Sequence, residues 1–246
     1  MLRIPITILT TIVAVVGQGL MTFFVASYLI VLLRIRPNAK QVPRVLRFWA
    51  KSFLFFTGTR VSVEGADLID PAGSYVVIGN HTSNLDIPTI MGKLPVSVRF
   101  LAKRELFKVP VLGAAMASIH MIETDRRAGL SAHRAINEQV AEVIGAGLSV
   151  MIFPEGTRAE DGEMLPFKKG AFRIAVDNEL PVVPVTIIGA GKAWKPHSKL
   201  IRGGKVRLMI HEPISTIDLN RKNLDELRDR VHRIVAAPQG ERSESP

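Results

Sequence analysis

Residues 4–33 carry no charged side chain. A helix rises about 1.5 Å per residue, so a run of this length reaches about 45 Å, against a bilayer hydrocarbon core of about 30 Å. A secretory signal has a shorter apolar core followed by a small-residue cleavage site. Here the apolar run continues through Tyr28-Leu29-Ile30-Val31-Leu32-Leu33, so residues 1–36 read as a retained membrane anchor. Gly17-Gln18-Gly19 interrupts its middle, which leaves a tilted single span, the favoured reading, or a broken re-entrant pair of short helices. Only Arg3 precedes the run, whereas Arg34, Arg36, Lys40, Arg44, Arg47 and Lys51 follow it. The positive-inside rule therefore predicts that the remainder faces the cytoplasm.

The anchor explains an otherwise odd composition. Hydrophobic residues make up 47% and mean hydropathy is +0.22 in a chain that is also 22% charged, and the first 33 residues hold the apolar excess. The 246 residues suit one medium-sized domain with an appendage. Lysine and arginine outnumber acids 32 to 22, so the expected partners are anionic: nucleic acid, an acidic membrane surface or phosphorylated substrates. The apolar anchor and the few aromatics outside it argue against nucleic acid. The absence of cysteine excludes disulfides, thiolate metal sites and a thiol-based acyl-enzyme.

Residues 37–58 read as an amphipathic interfacial helix, with Val42, Val45, Leu46, Trp49, Phe53 and Phe56 along one side and Lys40, Arg44, Arg47 and Lys51 along the other. A helix packed on the soluble core is the alternative. After Gly58 short β-branched runs at 60–63, 75–78, 96–101, 149–153, 182–188 and 206–210 read as strands. Helical patterns lie between them, the clearest at 131–144, with Ser131 placed to cap it and Gly145 or Gly147 to end it. The alternation predicts an α/β domain over residues 59–235, with a mixed, largely parallel sheet flanked by helices. Residues 236–246 are polar enough to predict a disordered tail.

Chemistry concentrates where strands open into polar loops, the usual place for ligands in α/β folds. Residues 74–79 form an apolar strand followed by Asn80-His81-Thr82-Ser83-Asn84-Leu85-Asp86. His81 has a carboxylate, Asp86, five positions on. On a helix that spacing would separate them, so contact requires the intervening loop. A carboxylate holding one imidazole nitrogen leaves the other free as a general base for an alcohol nucleophile. Ser83 and Asp86 also fit a capping box, in which case Asp86 is architectural. The second constellation, Phe153-Pro154-Glu155-Gly156-Thr157-Arg158, can hold a phosphate. Arg158 offers a forked donor, Gly156 close backbone approach and Thr157 a hydroxyl, with Glu155 orienting Arg158 or meeting a substrate hydroxyl. Its plainer reading is a surface turn with a local ion pair. Lys103 should emerge at the same sheet end, whereas Lys168-Lys169 reads as a membrane-facing or solvated pair. No metal-ligand motif appears, and no Gly-x-Ser-x-Gly elbow supports Ser83 as a nucleophile.

At these segments the chain resembles the 1-acylglycerol-3-phosphate acyltransferases of the glycerolipid acyltransferase family. Four blocks match in order between about Ser74 and Gly189. Asn80 to Asp86 resembles the His-x4-Asp motif. The second block runs from Lys103 to Gly113 and on to Thr124-Asp125-Arg126. Phe153 to Arg158 resembles the third, and Leu180-Pro181-Val182-Val183-Pro184-Val185 the fourth. Two positions depart from the pattern: Glu123-Thr124-Asp125-Arg126 stands where aromatic-Ile-Asp-Arg is usual, and Ala159 where serine is common. The resemblance implies His81 as general base and Asp86 as its orienter. It places Lys103, Arg126, Glu155, Thr157 and Arg158 around the acceptor phosphate or glycerol. It further implies acyl-CoA or acyl carrier protein as co-substrate, a lysophospholipid acceptor and an N-terminal membrane helical element like the one read above. Membrane lipids are the expected surroundings, and no metal or cofactor is expected. The competing expectations are the same chemistry on another lysophospholipid, and a non-catalytic protein that binds anionic lipid.

Overall fold

A β-branched run that is apolar on both faces is stable only where helices cover both sides of a sheet, and the central strands here are buried throughout their length. The computed structural model describes residues 3–124, 129–159 and 164–240. In chain order the elements are α1 (Arg3–Ile35), α2 (Val42–Phe56), β1 (Thr59–Glu64), β2 (Val76–Gly79), α3 (Asp86–Lys93), β3 (Val98–Lys103), α4 (Arg104–Phe107) and α5 (Leu112–Ser118). There follow β4 (Ile122–Thr124), α6 (Gly129–Gly145), β5 (Ser149–Ile152), α7 (Gly170–Asp177), β6 (Val182–Ile188), α8 (Ala190–Ala193), β7 (Gly204–Ile210) and α9 (Leu224–Gly240). The strands form one sheet in the order β1-β7-β6-β2-β5-β3-β4. All neighbours are parallel except β6 and β7. This is the mixed, largely parallel α/β architecture that the alternating pattern predicts.

One face of the sheet packs Val76, Ile78, Val150 and Val182 against Val140 and Val143 of α6, Phe172 of α7 and Val231 of α9. The other packs Val77, Met151, Val183 and Val185 against Leu85, Ile90 and Leu94 on and beside α3. Beyond α3 lies α2, and beyond α2 lies α1, joined through Leu29, Val42, Leu46 and Ile119.

Several boundaries differ from the pattern reading. The three-residue β4 is too short to show periodicity and exists because it pairs with β3, Lys103 opposite Thr124. Strand β3 starts two residues late and ends on Lys103 itself. Helix α6 begins at Gly129, so Ser131 stands within its first turn. Its end is at the expected glycines: Gly147 takes φ +69° and donates to Ile144 O, while Leu148 N–H reaches Val143 O. Helix α9 runs to Gly240, so residues 236–240 are helical and not tail; buried Val231 and Val235 anchor that last stretch on the sheet. Residues 241–246 lie outside the described residues.

The membrane-proximal helices agree with one expectation and correct another. The Gly17-Gln18-Gly19 stretch does not break α1, which is one continuous helix as the favoured reading has it. By contrast, α2 does not lay its apolar stripe outward. Val42, Leu46, Ala50 and Leu54 are buried, with Ala50 and Leu54 against Gly92 of α3, and Trp49 and Ser52 bond to α1. More than half of the α2 circumference is apolar, and protein takes most of it; Phe48 and Phe55 remain exposed.

Helix α1 is inside out relative to a water-soluble helix. Its buried stripe contains Thr11 and Gln18 beside Ala14, Ala26 and Leu29, whereas Leu9, Ile12, Val16, Leu20, Phe23, Phe24 and Val31 are exposed. The inward polar groups are bonded: Thr22 Oγ1 accepts from Trp49 Nε1 at 2.9 Å, and Thr11 Oγ1 accepts from Ile201 N at 3.0 Å. Residues Thr7–Ile35 are long and apolar enough to cross a membrane.

Candidate active site

Because β2, β5, β3 and β4 are parallel neighbours, the loops after them emerge along one edge of the sheet. Gly79 closes β2 where a side chain would strike Val185 of β6, at 2.7 Å from its Cγ2. Asn80 then continues the ladder with its side chain: Nδ2 donates to Ile187 O at 2.9 Å, and Oδ1 accepts from Ile187 N at 2.8 Å. The backbone is thereby free to turn while still tied to β6. His81 is the first residue that turn projects.

The loop brings His81 and Asp86 together. Nδ1 lies 2.8 Å from Asp86 Oδ2, which also accepts the N–H groups of Thr82 at 2.7 Å and Ser83 at 2.8 Å. The capping box does not form, since Leu85 is the N-cap and no side chain caps the helix, but Asp86, fully buried at the first residue of α3, ties down the loop through those two N–H groups. Its role as acceptor places the imidazole hydrogen on Nδ1 and leaves Nε2 with the lone pair. The ring stacks on Phe153 with centroids 4.1 Å apart and planes inclined by 9°. Only a small part of the His81 side chain reaches solvent, 13%.

The β5 loop holds the His81 backbone from both sides. Glu155 Oε1 accepts the His81 N–H at 2.7 Å, and the Ala159 N–H donates to His81 O at 2.8 Å. Glu155 Oε2 accepts the Leu165 N–H at 2.9 Å. Glu155 is thus a buried tie between loops, and its oxygens are directed to backbone donors rather than to Arg158. Burial, helped by the Asp86 charge, raises its carboxyl from 4.5 to about 7 against the opposing pull of those two hydrogen bonds. Ala159 is buried and contributes through its N–H, which serine or alanine supplies equally.

Gly156, Thr157 and Arg158 lie nearer the surface. Gly156 takes φ +76°, and a Cβ there would lie 2.7 Å from Lys168 Nζ. Lys168 N–H also bonds Pro154 O at 3.0 Å, so this lysine folds over the loop. Both lysines of the doublet are exposed, in keeping with the membrane-facing or solvated reading, and Lys169 pairs with exposed Asp225. Thr157 is exposed and Arg158 half-buried, with its Nε buried and unbonded among the described residues. Lys103 is exposed at the end of β3, two strands from β2, roughly 10 Å at the usual interstrand spacing. Arg126 lies outside the described residues, two positions beyond Thr124.

Ser83 is fully buried, its Oγ donating to Trp194 O at 2.7 Å and accepting from Leu85 N, which removes it as a nucleophile. Trp194 stacks on Phe53 and borders an apolar groove of about 410 Å³. Gln18, Gly19 and Phe23 of α1, Phe53 of α2 and Val111 and Leu112 line its other walls. Val111 holds φ +64°, a conformation that a β-branched residue adopts only when its surroundings impose it.

Comparison with known proteins agrees with this architecture. Residues 60–188 match the acyltransferase family model. The chain is 34% identical over 216 residues to the chloroplastic 1-acyl-sn-glycerol-3-phosphate acyltransferase BAT2 of Brassica napus, covering 86% of this chain but only 61% of that protein. It is 31% identical to human 1-acyl-sn-glycerol-3-phosphate acyltransferase alpha, covering 85% of this chain and 74% of the relative. The crystal structure of the 1-acyl-sn-glycerophosphate acyltransferase PlsC from Thermotoga maritima superposes with a TM-score of 0.84 at 29% identity, over 98% of this chain and 97% of that one. The chain belongs to the acyltransferase family, in its 1-acyl-sn-glycerol-3-phosphate acyltransferase branch.

Proposed function

We propose that this protein transfers a fatty acyl group from a thioester, acyl-CoA or acyl carrier protein, to the sn-2 hydroxyl of 1-acylglycerol-3-phosphate, giving phosphatidate and a free thiol. The buried His81–Asp86 pair carries the reading. His81 Nε2 takes the hydroxyl proton as the oxygen attacks the thioester carbonyl. The imidazolium, stabilised by Asp86, then returns that proton to the departing thiolate as the tetrahedral adduct collapses. The acyl group passes directly between substrates, in keeping with a Ser83 hydroxyl engaged elsewhere and a chain without cysteine. Arg158, Thr157, Lys103 and the newly recognised Lys168 supply donors for the acceptor phosphate, beside a loop whose Gly156 permits close approach.

The apolar groove beside Trp194 suits a fatty chain, its volume falling in the range of ligand pockets. The inside-out α1 supports a membrane setting, since its exposed face is favourable only against lipid. The basic residues after α1 support a cytoplasmic position for the α/β domain.

The test is product analysis by mass spectrometry with detergent-purified full-length protein, oleoyl-CoA or oleoyl-acyl carrier protein, and two acceptors. Phosphatidate should form from 1-oleoylglycerol-3-phosphate, with little product from 1-oleoyl-phosphatidylcholine lacking an sn-2 chain. Equal acylation of the choline lipid would remove the phosphomonoester from the reading, and no lipid product with either donor would remove the reaction.

A further inference from the structure

Residues 180–211 contain no acid, yet they carry Lys192, Lys195, Lys199, Arg202, Lys205 and Arg207. Among the described residues only the last of these forms an ion pair with an acid, Glu64 across the sheet edge. The other five are exposed, four between β6 and β7 and Lys205 at the start of β7. The reaction described above uses none of them.

This segment is built rather than loose. Trp194 Nε1 donates to Ser198 O, Arg202 N–H to Ala193 O, and Ser198 Oγ bridges to Leu200 in both directions. It is also fastened to the apolar helices. Buried Ile201 donates its N–H to Thr11 Oγ1 of α1, Gly204 N–H bonds Gly58 O just after α2, and Arg60 pairs in register with Lys205. Leu200, on the same segment, is exposed, as are Ile8, Leu9 and Ile12 of α1 and Phe55 of α2. A cationic segment is thus fixed beside the outward apolar surface that a bilayer would cover.

We propose that residues 192–205 form a second membrane contact, which binds the headgroups of anionic phospholipids with Leu200 entering the interface. The proposal rests on the membrane setting inferred for α1. Lysines and arginines close to an anionic leaflet gain energy that salt screens, whereas exposed apolar side chains next to them favour the interface itself. An acidic carrier protein would answer the charge alone; the apolar residues continuous with α1 favour lipid. Since Trp194 and Ser83 share a hydrogen bond, the contact fixes the active-site mouth at headgroup level.

The absence of cysteine makes a local probe direct. Leu200→Cys, labelled with an environment-sensitive fluorophore in the full-length chain, is reconstituted in phosphatidylcholine vesicles with or without phosphatidylglycerol, with flotation scored alongside iodide quenching. The label should be shielded only with phosphatidylglycerol and re-exposed by high salt. Adding Lys195→Gln, Lys199→Gln and Arg202→Gln should weaken shielding by about fivefold per cation removed, and the corresponding arginine replacements at 195 and 199 should keep it. Equal quenching in both floating vesicle types overturns the proposal while leaving the membrane setting intact. Shielding produced only by added acyl carrier protein overturns it in favour of protein docking, and failure to float overturns both readings.

Discussion

His81 is restrained at four places: its N–H by Glu155, its C=O by Ala159, its Nδ1 by Asp86 and its ring face by Phe153. Little freedom remains to be lost when substrates arrive, which is how a base reaches its effective geometry. Glu155 contributes as a charged acceptor in a site that resists charge, its carboxyl raised from 4.5 to about 7. Between those values the folded chain binds the proton more tightly than the unfolded chain does. Stability should therefore fall as pH rises through that interval and level off above it. Unfolding midpoints in detergent across this range should show the decline in wild type and a flatter course in Glu155→Gln; parallel curves would refute a titrating Glu155. Sequence spacing and a polar loop allowed the His81–Asp86 contact but equally allowed a capping role for Asp86, and the likeness to the His-x4-Asp motif chose between them. Neither could show that Glu155 turns inward, since only the fold reveals that His81 N–H and Leu165 N–H both converge on it.

Strand-to-loop transitions carry the site, and each is fixed by pairing with a neighbouring strand. Asn80 is the clearest case, its amide replacing one more residue of β2 against β6. Asn80→Ala leaves the buried N–H and C=O of Ile187 unbonded, at about 1–3 kcal/mol for each such group with partial relaxation. Denaturant unfolding should register a loss of about 2–4 kcal/mol, and a change below about 0.5 kcal/mol would show the side chain to be dispensable. The apolar runs of β2, β5 and β6 were legible because helices cover both faces, leaving no polar position to confuse the pattern. The three residues of β4 were not, because their strand character comes from pairing with β3. The α2 stripe was legible as amphipathic but not as to its partner, because lipid and a neighbouring apolar helix attract the same residues.

In the whole molecule, α1, α2 and the sheet form successive layers, and the groove lies where they meet the loop at 109–112. An added Cβ at Gly19 meets nothing within 4 Å, and Gly19 lines the groove. Gly19→Leu should therefore shift the preferred acyl chain to shorter lengths, read from relative rates across a series of saturated acyl-CoA donors; an unchanged profile would place the chain elsewhere. The reading of the whole rests on His81 as the base that activates the acceptor. The most direct measurement is thiol release from oleoyl-CoA by the purified full-length protein, with and without 1-oleoylglycerol-3-phosphate, for wild type and His81→Ala, with unfolding midpoints confirming that both are folded. Acceptor-dependent release should fall by about 10²–10⁴ in the variant. Equal release by the two folded proteins would contradict the mechanism.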